Sequence, residues 1–275
     1  MSSPPAFRGS ESNPVRRFER YVAIGDSTVE GLDDPDRRGG YRGWANRLAE
    51  RIAREQGELH YANLAVRGRS TREVLDEQLG LALSMRPDLA AVVTGTNDIL
   101  RPRFDPEAVA KDIERMQRAL IEGGATVVSF TLPDLTPVMP LARPLRDRIR
   151  RFARALVEAS ARSGALVIDF TAHPVASDPR LWSEDRLHAN SLGHARIADA
   201  LAHALSLPGA GPEWAGPLPG PGRRGLRRAL AAELLWSRRY LLPWLWRHAR
   251  GRSSGDGCQP KRPRLEPLTL SDDRR

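Results

Sequence analysis

The stretch Tyr21-Val22-Ala23-Ile24-Gly25-Asp26-Ser27 decides the fold. Four apolar residues in an unbroken run read as a strand covered on both faces, because a strand with one wet face would alternate. Asp26 and Ser27 then fall just past the strand end, and Gly31 follows four residues after Ser27. Glycine at such an end lets the chain turn sharply and lets a substrate approach. A serine placed there is exposed at the reactive edge of the sheet. Gly, Asp and Ser are also common turn residues, so the tripeptide by itself reads first as a strand-to-loop turn.

Working outward, four more short apolar runs follow, at 59–64, 89–94, 126–131 and 166–170. Helical patterns lie between them. Residues 44–54 carry Trp44, Leu48 and Ile52, the stripe of one helix face. Residues 70–85 begin with Ser-Thr-Arg-Glu, a capping box. Asp105, Pro106 and Glu107 start a helix that Gly123 and Gly124 stop. Another helix is expected over 144–163, stopped by Gly164, and a last one over 191–205 after Asn190. Strand alternating with helix predicts a doubly wound α/β sheet. In such sheets the active site lies beyond the carboxyl ends of the strands.

Composition narrows the class. Hydrophobic residues make up 40% of the 275, enough for a real core. The single cysteine, Cys258, excludes a disulfide within the chain, a Cys-rich zinc site and a CxxC redox motif. The first 20 residues hold no apolar h-region, and no run approaches the roughly 18 residues of a membrane span. A cytoplasmic location is the expectation. The net charge of +9 is uneven: residues 209–275 hold 14 Lys+Arg against 6 Asp+Glu, and the rest is close to neutral. The basic character belongs to the tail, which argues against a nucleic-acid-binding domain and for no specific nucleic-acid partner.

Three more strand ends carry candidate chemistry. Asn63 through Gly68 ends in a glycine whose backbone N–H could serve a developing oxyanion. Gly95, Thr96, Asn97 and Asp98 set a side-chain amide beside a glycine. Asp185 and His188, three apart after the fifth strand, can meet directly, as a base and its orienting acid must. Each has an ordinary turn reading by itself. Their conjunction on one edge of one sheet is what points to a nucleophilic hydrolase. His173, His194 and His203 have nothing comparable beside them and read as surface or core histidines.

In order and approximate spacing, these four blocks resemble those of the SGNH/GDSL hydrolase family, over about residues 19–207. The resemblance implies a flavodoxin-like three-layer α/β/α sandwich with a five-stranded parallel sheet. It implies a serine esterase acting on small-molecule carboxylic esters and related acyl groups, with no metal and no cofactor. Ser27 would be the nucleophile, His188 the base and Asp185 its orienting acid. The Ser27 and Gly68 N–H groups and the Asn97 amide would form the oxyanion hole. The G-x-S-x-G elbow of α/β-hydrolases is absent, since Val29 stands two residues after Ser27. Two other readings compete: a non-catalytic binding module on this fold, and a metal-dependent hydrolase using Asp26, Asp98, Asp185 and His188.

The ends of the chain divide by composition. Residues 1–18 and 251–275 are polar and expected to be disordered, and 209–222 is a Pro/Gly linker. Residues 223–250 combine Arg pairs with Leu and Trp and are expected to form a basic amphipathic helix. Docking of that helix on the 19–208 domain is the first expectation, and peripheral contact with an anionic membrane the second.

Overall fold

The computed structural model describes residues 17–36, 39–220, 236, 238–239 and 254–268. Its centre is a six-stranded sheet in the order β5-β4-β3-β1-β2-β6. Strands β1 (Arg20–Gly25), β2 (His60–Asn63), β3 (Leu89–Val93), β4 (Thr126–Phe130) and β5 (Leu166–Ile168) pair in parallel. The buried run in β1 is explained by its place between β2 and β3. Tyr21 and Ala23 join the core on one face, and Val22 and Ile24 join the core on the other.

Helices α2 (Gly43–Gln56) and α8 (Ser191–Ala204) supply the first core, through Trp44, Leu48, Ile52 and Leu201. Helices α3 (Thr71–Glu77), α6 (Pro106–Glu122) and α7 (Arg146–Ser163) supply the second, through Val74, Ile113, Met116 and Phe152. Helices α1 (Ser27–Glu30), α4 (Leu79–Ser84) and α5 (Thr96–Ile99) are short. The caps follow the sequence: Ser70 and Glu73 form the capping box of α3, Asp105 caps α6 with Pro106 in its first turn, and Asn190 caps α8.

Four expectations are corrected. The sheet has six strands, because β6 (Arg262–Pro267) pairs antiparallel with the outer edge of β2. Structure therefore extends through 254–268, inside the stretch expected to be disordered. Pro263 and Pro267 hide the strand from a compositional reading, yet proline is tolerated on an edge, and β6 covers the β2 backbone that would otherwise stand open. The helix expected over 70–85 is two helices that break at Gln78. The helix expected from 144 begins at Arg146, after a 3-10 turn over Pro140–Leu145. Of the amphipathic segment 223–250, only Trp236, Arg238 and Arg239 lie within the described residues. No helix among the described residues is long and apolar enough to cross a membrane.

Candidate active site

The strand order reverses direction between β1 and β3, and the two flanking loops carry the candidate residues. In such sheets the crevice at this switch point is the ligand site. Gly25 ends β1 under tight constraint: a Cβ there would meet the Val93 carbonyl oxygen at 2.0 Å. The Gln78 side chain accepts from Gly25 N–H (2.8 Å) and donates to its carbonyl (2.9 Å), which also accepts from Val66 N–H (3.3 Å). Asp26 caps α1, and Ser27 is the first residue of that helix.

Ser27 Oγ lies 2.8 Å from His188 Nε2, and His188 Nδ1 lies 2.6 Å from Asp185 Oδ2. An ionised carboxylate only accepts, so the proton sits on Nδ1 and the Nε2 lone pair faces the serine hydroxyl. Asp185 is itself held: its other oxygen accepts from Ser183 Oγ (2.6 Å), Leu187 N–H (2.9 Å) and His188 N–H (3.0 Å). Arg186, at φ +62, makes the tight turn that lets both amides reach one oxygen. Burial opposes ionisation of Asp185, but His188 and Ser183 outweigh it and hold the carboxyl far below its usual range. Burial also pushes His188 down. The hydrogen bond and charge of Asp185, with the charges of Asp33 and Asp26, overcome that and raise it above an ordinary histidine.

Gly68 (φ +76) follows β2, and Asn97 is in α5, beyond β3. One N–H of the Asn97 amide donates to the Arg69 carbonyl (2.9 Å), which ties the two loops together and leaves the second N–H to point elsewhere. Glu30, at the end of α1, accepts from Arg67 N–H (2.9 Å) and pairs with the Arg67 guanidinium. The serine turn is thereby bonded to the residue before Gly68.

The four residues of the metal reading do not converge. Asp26 turns back to Thr28 N–H (3.0 Å), and Asp98 accepts from the Thr71 N–H (2.8 Å) and hydroxyl (2.9 Å). Among the described residues the group spaced for an ion is Asp33, Asp185 and His188, of which two already bond each other. Of the surface and core readings left open for His194, the structure gives the core: its Nδ1 accepts from Trp44 N–H (3.1 Å) and its Nε2 donates to the Leu32 carbonyl (3.0 Å). Burial pushes it down to about 4, so it stays neutral.

Sequence reading missed Gln78, Glu30, Arg67 and Asp33. Gln78 sat inside an apparently continuous helix, and a Glu–Arg pair 37 residues apart leaves no local pattern. Asp33 stands at φ +64, a strained backbone beside the histidine, and the only sequence hint is an acidic pair after Gly31. It also missed Trp236, whose indole N–H donates to the Asp185 carbonyl (3.0 Å) while Arg186 lies over its ring. An apolar cavity of about 60 Å³ adjoins His188, lined by Phe130, Leu132, Phe170, Ala176, Ile197 and Trp214 among others.

The model of the GDSL-like Lipase/Acylhydrolase family matches residues 23–196. GDSL lipase Rv0518 of Mycobacterium tuberculosis (strain ATCC 25618 / H37Rv) is 28% identical over 200 residues, 70% of this chain and 83% of that protein. Among solved structures, the α/β hydrolase LAE5 from the metagenome of Lake Arreo superposes with a TM-score of 0.58 at 20% identity, covering 68% of this chain and 95% of that one. The lipase/acylhydrolase from Enterococcus faecalis gives 0.55 at 22% identity, covering 67% and 94%. The superpositions establish the shared fold, and about a third of this chain lies outside them. With a family match spanning more than half its length, this chain belongs to the GDSL-like lipase/acylhydrolase family and is an acyl ester hydrolase of the SGNH type.

Proposed function

We propose that the chain is a serine esterase that cleaves carboxylic esters through an acyl-enzyme on Ser27. The observation that carries this is the continuous hydrogen-bonded path from Ser27 Oγ through His188 to Asp185. His188 takes the serine proton as Oγ attacks the ester carbonyl, and returns it to the leaving alcohol. Asp185 fixes the tautomer and stabilises the imidazolium. The Ser27 and Gly68 N–H groups and the free N–H of Asn97 receive the oxyanion. Water, activated by His188, then releases the acid.

The cavity beside His188 favours a short apolar acyl group. At about 60 Å³ it is well below the roughly 300–1,000 Å³ of pockets for larger ligands. Turnover of p-nitrophenyl esters from acetate to dodecanoate tests both points. Hydrolysis should be fastest with two to four acyl carbons. Ser27→Ala should lose about 10³-fold or more while its melting temperature holds. Wild-type turnover in that variant would sink the mechanism. A maximum at long chains would sink the acyl assignment alone.

A further inference from the structure

Lys261 lies beyond the 23–196 span that matches the family, just before β6. Its Nζ donates to three backbone carbonyls: Glu30 (2.6 Å), Tyr41 (3.0 Å) and Arg42 (2.9 Å). An ammonium has three hydrogens and accepts nothing, so every donor is used. The three oxygens come from two segments pressed together, since a Cβ on Gly31 would lie 2.4 Å from Gly43 Cα. Carbonyl oxygens gathered in this way repel one another unless a cation stands among them.

The placement matters because of what α1 carries. This helix has one turn: Ser27 opens it, and the carbonyl of Glu30 closes it. A cation at a helix carboxyl end satisfies orphan carbonyls and complements the dipole. The Glu30 side chain meanwhile holds Arg67 N–H, next to Gly68. The stretch before Lys261 presses on that same loop, for a Cβ on Gly255 would fall 1.9 Å from the Arg67 carbonyl oxygen. Burial pulls Lys261 down to about 7, opposed by Glu30, Asp34 and Asp36, and three acceptors favour the charged form.

We propose that Lys261 is a positioning residue: its ammonium clamps the carboxyl end of the Ser27 turn to the start of α2, and so fixes Ser27 against His188 and the Gly68 loop. It acts through α1 and touches no substrate. The proposal rests on Ser27 being the nucleophile. The competing role is attachment of β6 alone.

Full-length Lys261→Met, Lys261→Gln and Arg262→Ala separate the two. The Arg262 side chain reaches the Tyr61 carbonyl (3.4 Å) and covers the Tyr61 ring, so its removal loosens β6 without touching α1. All are assayed on p-nitrophenyl acetate well below their melting temperatures. Lys261→Met should lower kcat about tenfold or more with KM within twofold, and should slow fluorophosphonate labelling of Ser27 in parallel. Lys261→Gln, which keeps two donors, should fall between, and it carries the test if the Met variant does not fold. Arg262→Ala should lose melting temperature but keep kcat. Unchanged kcat in a folded Lys261 variant overturns the clamp. So does a loss of kcat in Arg262→Ala that matches the Lys261 variants at equal loss of melting temperature. Full turnover by Ser27→Ala would instead overturn the nucleophile assignment, which these variants leave untouched.

Discussion

His188 and Asp26 are where single residues set the pH behaviour. In the proposed mechanism His188 must be neutral to accept the serine proton, and its pKa is raised above the ordinary value of about 6.5. The acid limb of kcat/KM should therefore lie above that value, with activity rising through it and levelling beyond. Asp185→Asn removes the charge that raises His188 and can leave the wrong tautomer. It should move the limb to lower pH and cut kcat by roughly 10³–10⁴-fold; a pH–rate profile of both proteins checks this. Asp26 is fully buried, with one oxygen unpartnered among the described residues, and burial pushes its carboxyl up to about 6. A raised carboxyl pKa means the folded state holds a proton that the unfolded state has released. That contribution is present at low pH and is lost as pH rises through about 6. Asp26→Asn keeps an acceptor for Thr28 N–H and removes the buried charge. It should stabilise the fold on the order of 2–3 kcal/mol at pH 8 and by almost nothing at pH 4. Urea unfolding at the two pH values would refute this if the gain were equal.

At the scale of elements, the junction of α3 and α4 supports the end of β1 through Gln78. Val74, Gln78 and Ala82 fall four apart on the face turned to the sheet, and all three are buried. Gln78 keeps a helical backbone there, and its side chain bonds both backbone groups of Gly25, two residues before Ser27. The site is buried, with Gln78 only 3% exposed, so a Gly25 N–H left unpartnered would cost about 1–3 kcal/mol, while the Gly25 carbonyl keeps Val66 N–H (3.3 Å). Gln78→Ala should lower stability by roughly 1–3 kcal/mol in denaturant unfolding. It should also reduce kcat in the folded protein, because the end of β1 aims the serine turn. A stability loss with kcat intact would mean that Gln78 seals β1 without aiming it. The elements read correctly from sequence, such as α6 with its Asp105 cap, carry their signals locally.

Across the whole molecule, the cavity beside His188 draws on five separate stretches: α1, β4 and the loop after it, the turns after β5, α8, and the 3-10 turn at Pro212–Ala215. Ala176→Phe should fill it from the β5 side. Butyrate turnover (kcat/KM) should fall about tenfold or more relative to acetate, the range set by a methylene or two of lost space. Equal losses on both esters would place the acyl group elsewhere.

The sequence by itself determined the order of strands and helices, the caps, and the four strand-end blocks, because each depends on neighbours a few residues apart. The run 21–24 stated that β1 is covered on both faces, and Ser27, Gly68, Asn97, Asp185 and His188 could be picked out as single points on one sheet edge. Only tertiary structure decided how those points are braced. Gln78 meets Gly25 across 53 residues, Glu30 meets Arg67 across 37, and Lys261 meets Glu30 across 231. It also decided that Arg262–Pro267 is a strand, since an edge strand with two prolines owes its pairing to the open side of β2 and not to its own propensity. Contacts over such separations leave no period or spacing in the chain, because what selects them is the closeness of backbones in the folded sheet.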